Sequence, residues 1–133
     1  MSGPGVIKLD HWYAKPPAKV WKALTDPALH ALWWAPGDVR AVVGHRFHLD
    51  MGQWGKQPCE VLEVEPEKLL KYKFGFNLGT VITWRLAAEG EGTRLHLTHE
   101  GFDLDSPIGR QGFEGMGAGW PKVLQRMEPV LAG

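Results

Sequence analysis

Histidine is the side chain in this sequence best suited to proton transfer at neutral pH or to metal binding. Six histidines occur, at His11, His30, His45, His48, His96 and His99. His45 and His48 lie three residues apart in a predicted strand, as do His96 and His99, and this spacing places each pair on opposite faces. The sequence has no Cys-x-x-Cys and no His-Glu-x-x-His motif, the spacings typical of zinc sites. We therefore expect no metal ion.

His99 has the same strand parity as Leu95 and Leu97, so its side chain is predicted to point inward. The favoured interpretation is a buried histidine satisfied by one hydrogen bond, because buried polar groups are usually paired. The alternative is a polar anchor for a ligand, or a general base in a cyclase-type reaction.

Cys59 is the only cysteine of the chain, which excludes an internal disulfide and fits a reducing compartment. We expect a small buried residue rather than a nucleophile. No signal peptide or membrane-spanning run is visible, so a cytoplasmic location is predicted. The 15 basic and 15 acidic residues balance without a basic run, and nucleic-acid binding is therefore not expected.

Five glycines between residues 109 and 119 lack the Gly-x-Gly-x-x-Gly order of a nucleotide-binding loop. We expect them to let a helix approach the sheet closely, or to form a flexible lid. With no other cofactor motif present, no cofactor is predicted.

Seven tryptophans are the unusual feature of the composition, because large aromatic side chains can line a cavity as well as fill a core. The predicted strands and final helix direct a set of large side chains inward, namely Phe47, Met51, Tyr72, Phe74, Phe76, Trp84, Trp120 and Met127. The mouth of a cavity is predicted at Trp33, Trp34 and Trp54. For any single residue a filled core is the simpler interpretation, because cores contain few voids larger than a water molecule.

A long amphipathic helix is predicted at the end of the chain, over residues 115–131. Its apolar residues recur at steps of four, three, four and three, at Met116, Trp120, Val123, Met127 and Val130. Ser106 and Pro107 are suited to be its cap and first residue.

The residues before this helix largely alternate between apolar and polar side chains, as half-buried strands do. We predict strands over residues 6–14, 39–43, 45–51, 59–64, 69–76, 80–87 and 93–101, and short helices over 18–25 and 27–34. Asp26 is suited to be the N-cap of the second short helix. Hairpin-length connections indicate an antiparallel meander. A sheet and one long helix bury their apolar faces economically when the sheet curls around the helix. The prediction is one α+β domain, residues 1–133.

Four segments carry a family resemblance. They are PAKVWKALTDPALHALWW (residues 17–34), VLEVEPEKLLKYKF (61–74), TRLHLTHEGF (93–102) and GWPKVL (119–124). In this order they resemble the AHSA1-like branch, the activator of Hsp90 ATPase homologues, of the START-like or SRPBCC superfamily, over roughly residues 6–131. The resemblance implies a helix-grip (START/Bet v 1-like) fold, with a curved antiparallel sheet of about six to seven strands around a long C-terminal helix. It also implies a hydrophobic cavity for lipids, polyketides or other apolar small molecules.

With the aromatic excess, the resemblance predicts that the chain binds a hydrophobic or amphipathic small molecule between the sheet and the C-terminal helix. Orientation would come from His99, Tyr72 or Trp54. Replacing Trp120 or Phe74 with alanine is expected to abolish binding and to retain the fold.

Two other functions stay open. One is a cyclase, dehydratase or hydrolase working in the same cavity, which requires a titrating residue such as His99 to face the substrate. The other is an interaction module, either chaperone-linked, regulatory or a homodimer through exposed tryptophans. That module predicts a filled interior and a large exposed apolar patch.

Overall fold

The computed structural model describes residues 5–75 and 79–132 of the chain. The described elements follow in the order β1 (Gly5–Tyr13), α1 (Pro17–Thr25), α2 (Pro27–Trp33), β2 (Arg46–Asp50), a 3-10 turn (Gly52–Trp54), β3 (Lys56–Glu65), β4 (Leu69–Phe74), β5 (Thr80–Glu89), β6 (Gly92–Phe102) and α3 (Pro107–Ala132). The predicted order of one strand, two short helices, a run of strands and a long helix is confirmed.

The six strands form one antiparallel sheet in the order β1-β6-β5-β4-β3-β2. Strands β2 to β6 form a meander, and the last strand, β6, pairs with the first, β1, in antiparallel register. Inward-facing residues alternate as predicted; in β4, for example, Leu70, Tyr72 and Phe74 are buried. The curved sheet and the long final helix confirm the predicted α+β, helix-grip architecture.

The strand predicted over residues 39–43 is wrong, because this stretch is an irregular connection to β2. Val39 is buried, but Val42 and Val43 are both exposed, so their side chains do not alternate between two faces of a sheet. The N–H of His45 donates to the carbonyl of Val42 over 3.1 Å and turns the chain there. The outer edge of β2 is paired through an isolated bridge between Gly37 and Leu49, and residues 39–43 do not continue this pairing.

The predicted helix starts are confirmed by their capping hydrogen bonds. Asp26 Oδ1 accepts from the Ala28 N–H at the start of α2, over 2.9 Å. Ser106 Oγ accepts from the Gly109 N–H at the start of α3, over 3.1 Å. Each cap satisfies a backbone donor that has no partner within the helix.

Helix α3 has two halves that differ in packing. Its fully buried residues all lie in the second half, at Trp120, Leu124, Met127 and Leu131. The hydroxyl of Tyr13 donates to the Leu124 carbonyl over 2.7 Å and fixes this half to β1. The first half, residues 107–119, has no fully buried residue. Within the described residues, no helix has the length and apolar character needed to cross a membrane.

Candidate functional site

A cavity of about 390 Å³ lies between the first half of α3 and the sheet end formed by β2, β3 and β4. Its wall consists of Trp34, Met51, Trp54, Gln57, Phe74, Ile108, Gln111, Gly112, Gly115, Met116, Gly119, Trp120 and Val123. Trp54 and Ile108 are 56% and 67% exposed. They therefore mark the side on which the cavity meets solvent.

Three aromatic rings from three different elements form the inner wall. Trp34 follows the last residue of α2, Phe74 ends β4, and Trp120 begins the anchored half of α3. The ring centroid of Trp34 lies 4.7 Å from that of Trp120 and 5.6 Å from that of Phe74. Such distances are typical of favourable aromatic pairs, so the wall is held by its own packing.

The outer wall consists of Met51 and Trp54, in the short turn between β2 and β3, and of Gln57 at the start of β3. The amide Nε2 of Gln57 donates to the Trp54 carbonyl over 2.8 Å. Gly52 and Gly55 have φ values of 65° and 79°, a conformation that glycine adopts at little cost. These two glycines allow the tight turn that places Trp54 at the rim.

The open space of the cavity depends on glycines in α3. Gly112, Gly115 and Gly119 form part of the wall, and a Cβ atom added at Gly115 or Gly119 would meet no atom within 4 Å. Gly117 is the position at which helix and sheet approach closely, as predicted for these glycines. A Cβ atom added there would contact the Ile7 side chain at 3.8 Å.

The cavity wall carries no ionisable side chain among the described residues, and its polar side chains are the amides of Gln57 and Gln111. A bound charged group would therefore lose hydration without gaining an ionic partner, which is costly. The described wall residues therefore include no side chain that could act as an acid or base in proton transfer.

His99 is fully buried behind this wall, within a chain of hydrogen bonds. The indole N–H of Trp120 donates to His99 Nδ1 over 3.1 Å. Since an indole nitrogen only donates, Nδ1 is the acceptor and the imidazole proton lies on Nε2. Nε2–H then donates to Thr80 Oγ1 over 3.0 Å, and the Thr80 hydroxyl donates to the Phe74 carbonyl over 2.5 Å.

Burial lowers the pKa of His99 to about 3, so the imidazole is neutral near pH 7. Both ring nitrogens are engaged within the protein, and His99 is not part of the cavity wall. This geometry agrees with the favoured interpretation of the sequence, in which His99 is buried and its hydrogen-bonding groups have partners within the protein. The imidazole has no nitrogen left to take a proton from a substrate.

The structure brings five of the twelve predicted binding residues to the cavity wall, namely Trp34, Met51, Trp54, Phe74 and Trp120. Six others lie in the packed core, namely Trp33, Phe47, Tyr72, Trp84, His99 and Met127. Phe76 lies outside the described residues. In the core, the N–H of Trp33 donates to the Ala23 carbonyl over 2.7 Å, and that of Trp84 to the Tyr72 hydroxyl over 2.9 Å.

The predicted binding residues do not include the wall contributed by the first half of α3. Ile108, Gly112, Gly115 and Gly119 follow one another at steps of four, three and four. That spacing places them on one helix face. The available signal was the helical spacing, continued from the apolar stripe of residues 115–131 back to Pro107. It is weak because most of these wall residues are glycines, which add nothing to a hydropathy pattern.

Cys59 is buried in β3, and burial raises its pKa to about 12. The thiol is therefore protonated near neutral pH and is a weak nucleophile. No group of three or more His, Cys, Asp or Glu side chains within residues 5–75 and 79–132 is arranged to hold a metal ion.

Comparisons with known proteins agree with this architecture over nearly the whole chain. Protein MLL2253 from Mesorhizobium loti is 32% identical, with 96% of each chain covered and a TM-score of 0.85. CalU16 from Micromonospora echinospora is 27% identical over 95% of this chain and 75% of its own, with a TM-score of 0.77. The Aha1 dimer from Colwellia psychrerythraea is 20% identical over 95% of both chains with a TM-score of 0.80, and shows a common fold alone. No curated protein matches this sequence.

The family assignment rests on a sequence model as well as on the fold. The model described as Activator of Hsp90 ATPase homolog 1-like protein matches residues 14–132. This range includes all four segments that carry the resemblance. The chain therefore belongs to the Activator of Hsp90 ATPase homolog 1-like family, in the START-like or SRPBCC superfamily.

Proposed function

We propose that this protein binds a hydrophobic or amphipathic small molecule, lipid- or polyketide-like in character, in the cavity between α3 and the sheet. The observation that carries the proposal is the apolar, aromatic wall around about 390 Å³ of space that meets solvent beside Trp54 and Ile108. This volume lies within the range of small-molecule sites, roughly 300–1,000 Å³.

Binding would be driven by removing apolar ligand surface from water. Each buried CH₂ contributes about 0.8 kcal/mol, so the size and shape of the ligand govern affinity more than its charge does. The ring of Trp34 is already packed against those of Phe74 and Trp120. The inner wall is therefore largely preformed, which lowers the entropy cost of binding.

No observation favours the enzyme alternative, because the described cavity wall has no ionisable side chain. The interaction module predicts a filled interior, whereas the space beside α3 favours a ligand. The homodimer stays a prediction, which the mass of the protein in solution would test.

The predicted alanine variants are a poor test of binding, because Trp120 and Phe74 are each 1% exposed. Replacing a buried aromatic residue with alanine costs about 3–5 kcal/mol of stability, so lost binding could reflect unfolding. A better variant fills the cavity and leaves the core intact.

Gly119→Leu places a side chain into this open space and raises helix propensity. Ala118→Leu introduces the same side chain one residue away, where Ala118 is exposed, and is the matched control. The probe is the neutral fluorophore N-phenyl-1-naphthylamine, titrated against each folded variant.

We expect saturable binding to the wild type and to Ala118→Leu. Gly119→Leu should bind at least about tenfold more weakly, because its leucine side chain and the ligand would occupy the same space, and overpacking costs about 1–3 kcal/mol. Equal affinity in the two variants, or no binding to the wild type, would count against the proposal. Native mass spectrometry of freshly purified protein would identify a ligand carried through purification.

A further inference from the structure

Four tryptophans pack against one another in an aromatic cluster, namely Trp33, Trp34, Trp84 and Trp120. Their indole N–H groups differ in whether the protein supplies a hydrogen-bond acceptor. Those of Trp33, Trp84 and Trp120 donate to the Ala23 carbonyl, the Tyr72 hydroxyl and His99 Nδ1, over 2.7, 2.9 and 3.1 Å. All three tryptophans are 1% exposed or less. Each of these buried indole N–H groups therefore has an acceptor within the protein. This is expected, because burying a donor without a partner costs free energy.

Trp34 is the exception within this cluster. Its side chain is half-buried, its ring is part of the cavity wall, and it packs against Trp33, Trp120, Phe74 and His30. No acceptor from residues 5–75 or 79–132 is hydrogen-bonded to its Nε1. The nitrogen is also not sealed from solvent, since no fully buried side-chain nitrogen or oxygen among these residues lacks a partner.

Since the Trp34 ring is part of the cavity wall, a ligand that covers the Nε1 edge of this ring would remove water from the N–H. An apolar ligand would leave the donor unsatisfied, whereas a ligand with an acceptor atom replaces the lost water. Sites that hold a polar group for this purpose discriminate strongly against analogues lacking the matching atom. Trp54, the other wall tryptophan with no internal acceptor among the described residues, is 56% exposed, so water continues to serve its N–H.

The rest of the wall limits the acceptor to an uncharged one. The described lining has no lysine, arginine or histidine that could pair with an anion, and no carboxylate that could pair with a cation. An ionised ligand would therefore lose hydration without compensation. The ring faces of Trp34, Phe74 and Trp120 suit a flat, unsaturated body.

We propose that the site recognises a neutral, largely apolar molecule through one acceptor oxygen, such as a ketone carbonyl, which accepts a hydrogen bond from the Trp34 indole N–H. This inference rests on the proposed function of the cavity and names the chemical class of its ligand. It assigns Trp34 as the specificity-determining residue.

The test compares 9-fluorenone with fluorene, two flat neutral molecules of nearly equal size that differ in one carbonyl oxygen. Each competes with N-phenyl-1-naphthylamine on the wild type, on Trp34→Phe, which loses the N–H and keeps a ring, and on Trp12→Phe. This control makes the same change at an exposed tryptophan outside the described cavity wall. We expect fluorenone to bind the wild type about five to ten times more tightly, the range for one hydrogen bond. This ratio should fall to about one in Trp34→Phe and persist in Trp12→Phe, and fluorene-9-carboxylate should bind more weakly than fluorene.

The outcomes separate the two proposals. If the fluorescent probe does not bind the wild type, the proposed function itself fails. If the probe binds and fluorenone and fluorene compete equally, the cavity function stands and the acceptor inference is overturned. A preference that survives Trp34→Phe, or that disappears in Trp12→Phe, also overturns the assignment to Trp34.

A second readout needs no variant and covers the case in which Trp34→Phe does not fold. In the NMR spectrum of the wild type, fluorenone should shift the indole proton of Trp34 downfield, as a new hydrogen bond does, and fluorene should not. Equal shifts with both compounds would contradict the inference.

Discussion

The indole N–H of Trp120 in α3 and the Nδ1 atom of His99 in β6 are joined by a buried hydrogen bond of 3.1 Å. His99 continues the chain through Thr80 to the carbonyl of Phe74. Two residues of the cavity wall, Trp120 and Phe74, are thus held by one polar chain that lies behind the wall. The position of the helix relative to the sheet is fixed beside the cavity, where packing alone leaves open space.

The first prediction concerns this bond. Trp120→Phe keeps an aromatic ring but leaves His99 Nδ1 without a donor, and an unsatisfied buried acceptor costs about 1–3 kcal/mol. We expect the free energy of unfolding in urea to fall by about 2 kcal/mol or more. Trp54→Phe makes the same change at an exposed residue, where surface substitutions usually stay within about 0.5 kcal/mol. Equal losses in the two variants would show that the hydrogen bond is not the cause.

The second prediction concerns stability in acid. Burial lowers the pKa of His99 to about 3 and that of His30 to about 4, although a hydrogen bond to the Ala35 carbonyl partly offsets the shift in His30. Both values lie below the value for an exposed histidine, about 6.5. The unfolded chain therefore binds more protons than the folded protein between about pH 6.5 and 4, and stability is lost as pH falls through this window.

Each histidine contributes a slope of at most about 1.4 kcal/mol per pH unit, so both together predict a loss of about 3–4 kcal/mol between pH 7 and 5. Urea unfolding at intervals across this range measures the slope. In His99→Gln, whose amide can accept from Trp120 and donate to Thr80, the slope should halve. A stability that is level from pH 7 to 5 would rule out neutral buried histidines.

Much of the fold could be predicted because its signals are local. The alternation in β4 and the caps at Asp26 and Ser106 each depend on a few neighbouring residues, and the structure places them as expected. The strand prediction for residues 39–43 is wrong because it relied on the high strand propensity of two adjacent valines. Whether this stretch is a strand depends on its pairing with the edge of β2, and propensity does not report such pairing.

The cavity could be predicted only in part, because inward orientation does not separate a core residue from a wall residue. The sequence predicts both Trp84 and Trp34 as site residues, yet Trp84 is buried in the core and Trp34 is part of the cavity wall. The difference comes from what lies opposite each ring. Glycines of α3 form part of the wall around the open space. Because glycine has no side chain, a hydrophobic pattern in the sequence does not reveal such a wall.

The third prediction concerns the turn between β3 and β4. The N–H of Lys68 donates to the Glu65 carbonyl over 2.9 Å, and Glu67 has a φ of 63°. This left-handed conformation costs roughly 1–2 kcal/mol for most residues, whereas asparagine tolerates it better. We expect Glu67→Asn to raise the thermal unfolding temperature, and Glu67→Gln, which keeps the strain without the charge, to leave it nearly unchanged. Equal effects of the two variants would assign the gain to charge removal.

The fourth prediction concerns the glycines in the first half of α3, where the same substitution should act in opposite directions. Gly→Ala in a helix interior gains up to about 1 kcal/mol when the new methyl group fits. It fits at Gly115, where an added Cβ has open space, and at Gly117, where it makes an ordinary contact with Ile7. At Gly109 the added Cβ would overlap the backbone carbonyl of Asp103, so the segment before α3 would have to move.

We therefore expect Gly115→Ala and Gly117→Ala to stabilise the protein against urea, and Gly109→Ala to destabilise it. Gly117→Ala should leave binding of N-phenyl-1-naphthylamine unchanged, because Gly117 is not part of the described cavity wall. Gly115→Ala should reduce it, since the methyl group enters the cavity. If all three variants stabilise the protein alike, helix propensity alone accounts for these glycines, and their arrangement around the cavity has no energetic consequence.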